Sequence, residues 1–419
     1  MNVTITPRPL SGTLKVISSK SLSHRYVIAS GLSLGKSVIT NVLDSDDLSA
    51  TKTILSHLGV TFDGDTITGS TLKLRQPVLD CQESGSTLRF MIPIVMLQKD
   101  MATFIGQGRL KDRPLDVYFE LFDQKKMYYH KPENGYLPLD VKGPLKAGHY
   151  RMKGNVSSQF ITGLLYALPL LKKDSIIELT TPLESKGYVD LTLDVLQSFG
   201  IHILSTPPFY YIKGGQQYHP INASIEGDYS QAAYFMVAGL IGQTIELTGL
   251  NPVSKQGDMR IIDVIKEMMG HIHYDHVNRN YKIEPSQTHG IKISLSNIPD
   301  LGPILMVLAA LSSGTTVFEG CNRLRIKESD RLEAMRVNLT KLGVKMIVDG
   351  DVATITGQSH FKGSQSVDAF HDHRIAMAMA IAAIRADGPL TITGAESVSK
   401  SYPNFFKDYV KLGGIIHES

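Results

Sequence analysis

NLTKLGVKM (338–346) carries an apolar-faced helical pattern into a glycine and then straight into a β-branched strand. The same device recurs as ILSHLGVTF (54–62), VLQSFGIHI (195–203), VIKEMMGHI (264–272) and DYVKLGGII (408–416). The glycines Gly59, Gly200, Gly270, Gly343 and Gly413 are spaced 141, 70, 73 and 70 residues apart. The first gap is about twice the others, so a further copy belongs near residue 125, where LFDQKKMYY (121–129) stands without its glycine. Glycine suits the position because a helix ends there in the left-handed conformation.

Working outward, each copy extends upstream in one order. An alternating strand (TLKVIS, YRMKGNV) precedes a polar helix start (SSKSLSHR, ESGSTLRF, SSQFITGL, GDYSQAAY, DHRIAMAM). An apolar helix, a second strand (SVITNV, SIIELT, QTIELTG, TTVFEG, LTITGA) and a charged loop then lead to the glycine helix. Strand, helix, strand, helix, strand, strand in about 70 residues is an α/β unit too large for a common solenoid repeat. Six units are expected, starting near 13, 79, 147, 222, 290 and 366. The sixth lacks a closing strand, which the otherwise unowned NVTITP (2–7) can supply. Two domains of three units follow: 13–221, and 1–12 together with 222–419.

Composition narrows the function. The 419 residues are 42% hydrophobic and 20% charged, with 43 basic and 40 acidic side chains. That balance provides no general basic face for nucleic acid or a membrane surface. Two cysteines, Cys81 and Cys321, cannot build a disulfide framework or a CxxC zinc site, which suits a reducing compartment. The N-terminal MNVTITPRPL has no signal-peptide pattern, and the longest apolar run, Ile375 to Ile384, is too short to span a bilayer. The expected setting is the cytoplasm. His271, His273 and His276 in HIHYDH, and HDH at 371–373, could suggest a metal, but an exposed strand edge is the plainer reading.

The polar helix starts are richer than capping requires. They hold Ser19-Lys20-Ser21, Ser84-Gly85-Ser86, Ser157-Ser158-Gln159, Asp228-Tyr229-Ser230, Asp300 and His371-Asp372-His373-Arg374. A helix N-terminus attracts anions, so Lys20 and Arg374 oppose the dipole unless an anion lies between. RLRIKESDR (323–331) packs four cations and two carboxylates into nine residues. Alone it reads as a solvated face. Beside Arg109 to Arg113, Ser185 to Tyr188 and Lys400 at equivalent loops, it reads as part of an anion-binding cleft between the domains.

SSKSLSHR, ESGSTLR, GRLKDRP, GNVSSQF, ESKGYVDLTL, IKESDRL, HDHRIAMA and SKSYPNFF occur in this order along the chain. In this the sequence resembles the 3-phosphoshikimate 1-carboxyvinyltransferase (5-enolpyruvylshikimate-3-phosphate synthase) family over essentially its whole length. The resemblance implies two domains of three βαβαββ units with pseudo-threefold symmetry and an active site in the interdomain cleft. It implies transfer of the enolpyruvyl group of phosphoenolpyruvate to the 5-hydroxyl of shikimate 3-phosphate, in a monomer without cofactor or metal. The two substrates together carry a charge of about −6.

By the matching motifs, Ser21 and Arg25 hold the shikimate carboxylate, and Ser157, Ser158 and Ser185 hold its phosphate with Tyr188 nearby. Gln159 lies against the ring and near phosphoenolpyruvate. Lys20, Gly85, Arg113 and Lys400 surround the phosphate of phosphoenolpyruvate, and Arg331 and Arg374 clamp its carboxylate. Asp300 accepts the 5-hydroxyl proton, Glu328 moves the proton at the methylene carbon, and His373 orients Glu328. Lys20 and Lys400 count with these three as catalytic, and Lys20 and Lys327 also belong to the shikimate 3-phosphate site. The sequence departs from the family pattern at Ser18 and Ser19, where a glycine is usual, and at Glu83, Phe90 and Arg323. Glu83 is expected to turn away from the anion, toward Arg89. The related transferase acting on UDP-N-acetylglucosamine is the nearest rival, but neither cysteine lies in its reactive loop context. A non-catalytic nucleic-acid clamp would need more Lys and Arg.

Overall fold

The computed structural model describes every residue from Met1 to Ser419. It contains six four-stranded sheets, all built in one order. In one, Lys292–Ser294 runs parallel to Thr315–Glu319, which lies antiparallel to Val352–Thr356, which in turn pairs antiparallel with Lys345–Asp349. The last two strands form a hairpin, and the parallel step is the crossover that a helix must make. Asn2–Thr6 lies between Leu390–Thr393 and Ile415–Glu418, antiparallel to both, and so completes the sixth sheet.

The chain forms two compact units, Met1–Ile17 with Glu226–Ser419, and Ser18–Ile225. Two strands differ from the sequence expectation. Gly12–Lys15, read as opening the first unit, pairs parallel with Ile245–Thr248 of the fourth. Asn222–Ser224, read as opening the fourth, pairs parallel with Gly35–Thr40 of the first. The two opening strands are exchanged, so the chain passes between the compact units after each strand, a few residues later than the sequence places the joints. Both are short alternating segments before a polar helix start, and local pattern does not choose a partner sheet.

Helices buried on all sides form the middle of each unit. In the unit containing the C-terminus these are Tyr229–Ile241, Gly302–Ala310 and His373–Ala382, which pack on one another. Ile304, Leu305, Met306, Val307 and Leu308 are all fully buried, each burial worth roughly 1.5–3 kcal/mol. A helix apolar all round belongs in such an interior, and no helix is long and apolar enough to cross a membrane. Cys81 and Cys321 are both buried free thiols.

Helix starts are capped as their residues dictate. Ser19 accepts from Leu22 N, Ser84 from Thr87 N, Ser157 from Gln159 N, Asp228 from Gln231 N and Asp372 from Arg374 N. Asp300 instead stands in the 3-10 turn Pro299–Leu301 ahead of Gly302–Ala310, and its carboxylate turns to side chains.

Four of the five repeat glycines take positive φ: 101° at Gly59, 82° at Gly200, 84° at Gly343 and 95° at Gly413. The helix before Gly270 instead turns left-handed at Met269 (φ 66°), and Gly270 serves close packing, since a Cβ there would lie 2.7 Å from Ile265 Cγ2. In the copy without a glycine, that of the second unit, Lys126 takes the left-handed cap at φ 51° and ψ 51°. A side chain in that conformation is strained by about 1–2 kcal/mol, part of which glycine returns through its looser unfolded chain. Lys126→Gly is therefore expected to raise unfolding stability by roughly 0.5–1 kcal/mol, read from the denaturation midpoint. A drop would show that the lysine side chain contributes more than the strain removes.

Candidate active site

In the unit Ser18–Ile225, the starts of helices Lys20–Leu32, Gly85–Val95 and Ser158–Ala167 carry the expected residues. Lys20 sits in the first turn and pairs with the Asp47 carboxylate, in the first turn of Asp46–His57. Arg25 follows one turn later and is 3% exposed. Its Nε donates to Thr192 Oγ1 at 2.9 Å, Nη1 to the Ser21 carbonyl at 2.8 Å and Nη2 to the Tyr188 carbonyl at 2.9 Å. Backbone carbonyls thus aim a buried guanidinium and join Ser21 to the loop of Ser185 and Tyr188. Ser185 is buried at φ 54°, immediately before the helix Lys186–Ser198.

Phe90 packs beneath this group. Its ring lies 5.5 Å from Arg25 Cζ and 6.3 Å, edge-on, from His24. His24 is buried, and burial together with Lys20 and Arg25 holds its imidazole well below its usual pKa. It is therefore neutral and joins a hydroxyl chain. Nδ1 lies 3.0 Å from Thr51 Oγ1, which lies 2.7 Å from Thr87 Oγ1, which donates to Ser84 Oγ.

Arg113 lies across the start of helix Gly85–Val95. A Cβ on Gly85 would fall 2.6 Å from its Nη1 and 2.7 Å from its Cζ, so glycine is what lets this guanidinium reach the helix start. The Gln159 amide is fixed at both ends: Arg89 Nη1 donates to Oε1 at 2.9 Å, and Nε2 donates to Ser86 Oγ at 2.8 Å. Ser157 caps its helix and Ser158 is buried beside it. Glu83 reaches Gly108, its carboxyl carbon 2.9 Å from where a Cβ would stand there.

In the other unit the expected residues gather around one carboxylate. Asp300 Oδ1 accepts from Arg331 Nη1 at 2.9 Å and Lys327 Nζ at 3.3 Å, and Oδ2 accepts from Arg374 Nη2 at 2.9 Å. Arg331, 1% exposed, also donates from Nη2 to Glu328 Oε2 at 2.6 Å and from Nε to Asp372 Oδ2 at 2.7 Å. Asp372 accepts in addition from Ser329 Oγ. His373 is buried with Nδ1 3.9 Å from Asp372 Oδ1. Lys400 donates to the His371 carbonyl at 2.7 Å.

Burial opposes the charge on Asp300, but Arg374, Lys327 and Arg331 outweigh it and hold the carboxyl well below its usual pKa. Burial lowers Lys327 to about 8 despite Asp300, with Arg323 and Arg331 adding to the depression. Arg331 moves the other way, because Asp372, Glu328 and Asp300 outweigh its burial. RLRIKESDR is thus divided: Arg331, Lys327 and Glu328 turn inward to this cluster, while Arg325 pairs with Asp330 in a half-exposed bridge. Arg323 is buried and donates to the Ser296 carbonyl.

Sequence reasoning missed three carboxylates: Asp47, Asp258, and Asp372 as the anchor of Arg331. Asp47 lies in the first turn of Asp46–His57 and Asp372 caps His373–Ala382, places where an aspartate carries no signal of an ion pair. Asp258 is buried in the 3-10 turn Gly257–Arg260 and accepts from Ser230 Oγ. His271 and His273 are exposed on an edge strand opposite Glu284 and Lys282, and no cluster of three His, Cys, Asp or Glu side chains could hold a metal ion.

The comparisons with known proteins agree along the whole chain. The family model of EPSP synthase (3-phosphoshikimate 1-carboxyvinyltransferase) matches residues 5–409. The 3-phosphoshikimate 1-carboxyvinyltransferase of Clostridium acetobutylicum is 47% identical, over 99% of this chain and 98% of its own. That of Clostridioides difficile is 44% identical, over 99% and 98%. Among solved structures, EPSP synthase from Acinetobacter baumannii has a TM-score of 0.82 at 26% identity, covering both chains fully. The enolpyruvyl transferase NikO from Streptomyces tendae shares the fold at 16% identity and a TM-score of 0.80.

Burial and the neighbouring Asp300 raise Asp258 to about 7, against Arg374 and the Ser230 hydrogen bond. An acid whose folded pKa is raised contributes most below its unfolded pKa and loses that contribution as pH rises to the folded value. Asp258→Asn keeps an acceptor for Ser230 and removes the charge. Its stability relative to the unsubstituted protein should therefore improve between about pH 4 and pH 7 and level off above. Urea unfolding of both proteins across that range checks this, and a constant difference would contradict it.

Proposed function

The chain belongs to the EPSP synthase (3-phosphoshikimate 1-carboxyvinyltransferase) family, and on that premise we infer that it makes 5-enolpyruvylshikimate 3-phosphate. It transfers the enolpyruvyl group of phosphoenolpyruvate to the 5-hydroxyl of shikimate 3-phosphate and releases phosphate, a step toward the aromatic amino acids. The observation that carries this reading is the set of buried cations around Asp300. Arg331 and Arg374 each donate to the Asp300 carboxylate at 2.9 Å, which supports reading them as carboxylate-binding cations beside the base that the reacting hydroxyl needs.

In this reading Ser21 and Arg25 take the shikimate carboxylate, for which the two-oxygen fork of arginine is suited. Ser157, Ser158 and Ser185 take the shikimate phosphate, with Tyr188 and Lys327 beside it and Gln159 against the ring. Lys20, Gly85, Arg113 and Lys400 receive the phosphate of phosphoenolpyruvate. Arg331 and Arg374 receive its carboxylate. The fixed amide of Gln159 and the glycine at 85 support these assignments, since both leave donors directed rather than mobile.

The chemistry is addition followed by elimination. The 5-oxygen bonds to C2 of phosphoenolpyruvate as its proton passes to Asp300 and a proton is added at C3. Loss of a proton from C3 then re-forms the double bond, and the C2–oxygen bond to phosphate breaks. Glu328 moves the C3 proton, with His373, Lys20 and Lys400 completing the catalytic group. No step as written requires a metal or organic cofactor. We read the protein as a cytoplasmic monomer acting on small molecules, without a nucleic-acid or membrane partner. The two free buried cysteines and the near-balanced charge support that setting.

Phosphate should be released only when shikimate 3-phosphate and phosphoenolpyruvate are mixed with the protein together. Full activity with UDP-N-acetylglucosamine as acceptor would overturn the reading.

Glu328→Gln preserves shape but cannot exchange a proton. Its kcat should fall by roughly 10²–10⁴-fold, the usual contribution of acid–base catalysis, with much smaller changes in substrate affinity. Solvent exchange of the C3 hydrogens should fall in parallel. Exchange at the unsubstituted rate would make Glu328 a counter-ion to Arg331 only.

A further inference from the structure

Asp300 does more than stand near the two arginines. Its carboxylate gives one oxygen to Arg331 Nη1 and the other to Arg374 Nη2, both at 2.9 Å. One carboxylate thus spans both guanidiniums in charge-assisted bonds of the kind an incoming carboxylate would also make. Under the proposed function, which this step rests on, those two arginines clamp the carboxylate of phosphoenolpyruvate. We propose that Asp300 is a built-in competitor for that carboxylate, seated in the clamp of Arg331 and Arg374 so that phosphoenolpyruvate binds by displacing it.

The other acidic groups of the cluster hold different positions. Asp372 is wholly buried, takes the Nε edge of Arg331 and caps helix His373–Ala382 through Arg374 N. It fixes the clamp. Glu328 meets Arg331 at Nη2, 2.6 Å away. Asp300 bridges the two arginines and is itself 19% exposed, so it can turn out of its seat. It stands in a three-residue 3-10 turn, Pro299–Leu301, rather than in the helix it precedes.

The seat has a chemical consequence. While Asp300 lies in the clamp, Arg374, Lys327 and Arg331 suppress its basicity. A base so stabilised is poor at taking a proton from a hydroxyl. A second carboxylate entering the clamp fills the arginines and releases Asp300 from them, raising its basicity. The base is thereby activated by arrival of the molecule its product must attack. A carboxylate tethered beside the clamp competes at high effective concentration, so its removal should tighten binding substantially.

The test is calorimetric titration of phosphoenolpyruvate alone, where no acceptor permits turnover. The unsubstituted protein is compared with Asp300→Asn and Asp300→Ala, with Glu328→Gln as the charge control and Arg374→Lys as the clamp control. Circular dichroism checks folding, and should one Asp300 variant fail to fold, the other carries the test. The proposal expects both Asp300 variants to bind phosphoenolpyruvate about tenfold or more tightly, although they lose turnover, and Glu328→Gln to change far less. Unchanged or weaker binding in the Asp300 variants overturns it. Equal tightening in Glu328→Gln also overturns it, since relief of negative charge anywhere would then explain the gain. Arg374→Lys separates the two levels. If it weakens binding while the Asp300 variants do not tighten it, the clamp stands and the competitor falls. If neither substitution changes affinity, the clamp assignment itself fails.

Discussion

A guanidinium sealed from water must be paired, and the pairing of Arg331 with Asp372 organises the unit that contains the C-terminus. Arg331 is 1% exposed and Asp372 is fully buried. Breaking such a buried pair typically costs about 3–5 kcal/mol, so the two side chains are fixed relative to one another. Asp372 also accepts from Arg374 N and Ser329 Oγ. One carboxylate therefore ties the charged loop before helix Arg331–Lys341 to the start of helix His373–Ala382. Arg331, Arg374 and Glu328 inherit their positions from that tie.

The two units solve the same problem with different counter-groups. In Ser18–Ile225, Arg25 is held by the Ser21 and Tyr188 carbonyls and a threonine hydroxyl. Those acceptors carry no full charge, so the guanidinium keeps its charge for a ligand while burial lowers its pKa. In the other unit Arg331, Arg374 and Lys327 are held by carboxylates, which neutralise as well as orient. An incoming anion therefore meets ready positive charge at Arg25 and a competing carboxylate at Arg331 and Arg374, while Lys20, paired with Asp47, resembles the second arrangement. The neutral His24 serves the first design, because a further cation between Lys20 and Arg25 would raise the repulsion already there.

Much of this was legible in the sequence, and the exceptions share a cause. The repeat of helix, glycine and strand gave the unit count, because each helix end imposes a local left-handed turn. Lys126 and Met269 escaped that pattern, since a left-handed cap tolerates a side chain at modest strain. The exchange of Gly12–Lys15 and Asn222–Ser224 between sheets was invisible, as strand pairing over two hundred residues leaves no local trace. The cations of the site stood out because lysine and arginine oppose a helix N-terminus. Their partners Asp47 and Asp372 did not, because aspartate at a helix start is ordinary. Asp258 lay in a short turn whose burial only the fold reveals.

The central claim is that these buried cations and helix starts exist to hold two phosphorylated carboxylic acids. Its most direct measurement is a crystal structure of the protein with shikimate 3-phosphate and a non-transferable analogue of phosphoenolpyruvate. The account predicts the acceptor phosphate against Ser157, Ser158 and Ser185, its carboxylate on Arg25, and the analogue carboxylate between Arg331 and Arg374. Well-ordered ligands bound elsewhere, with those side chains keeping their present partners, would contradict it.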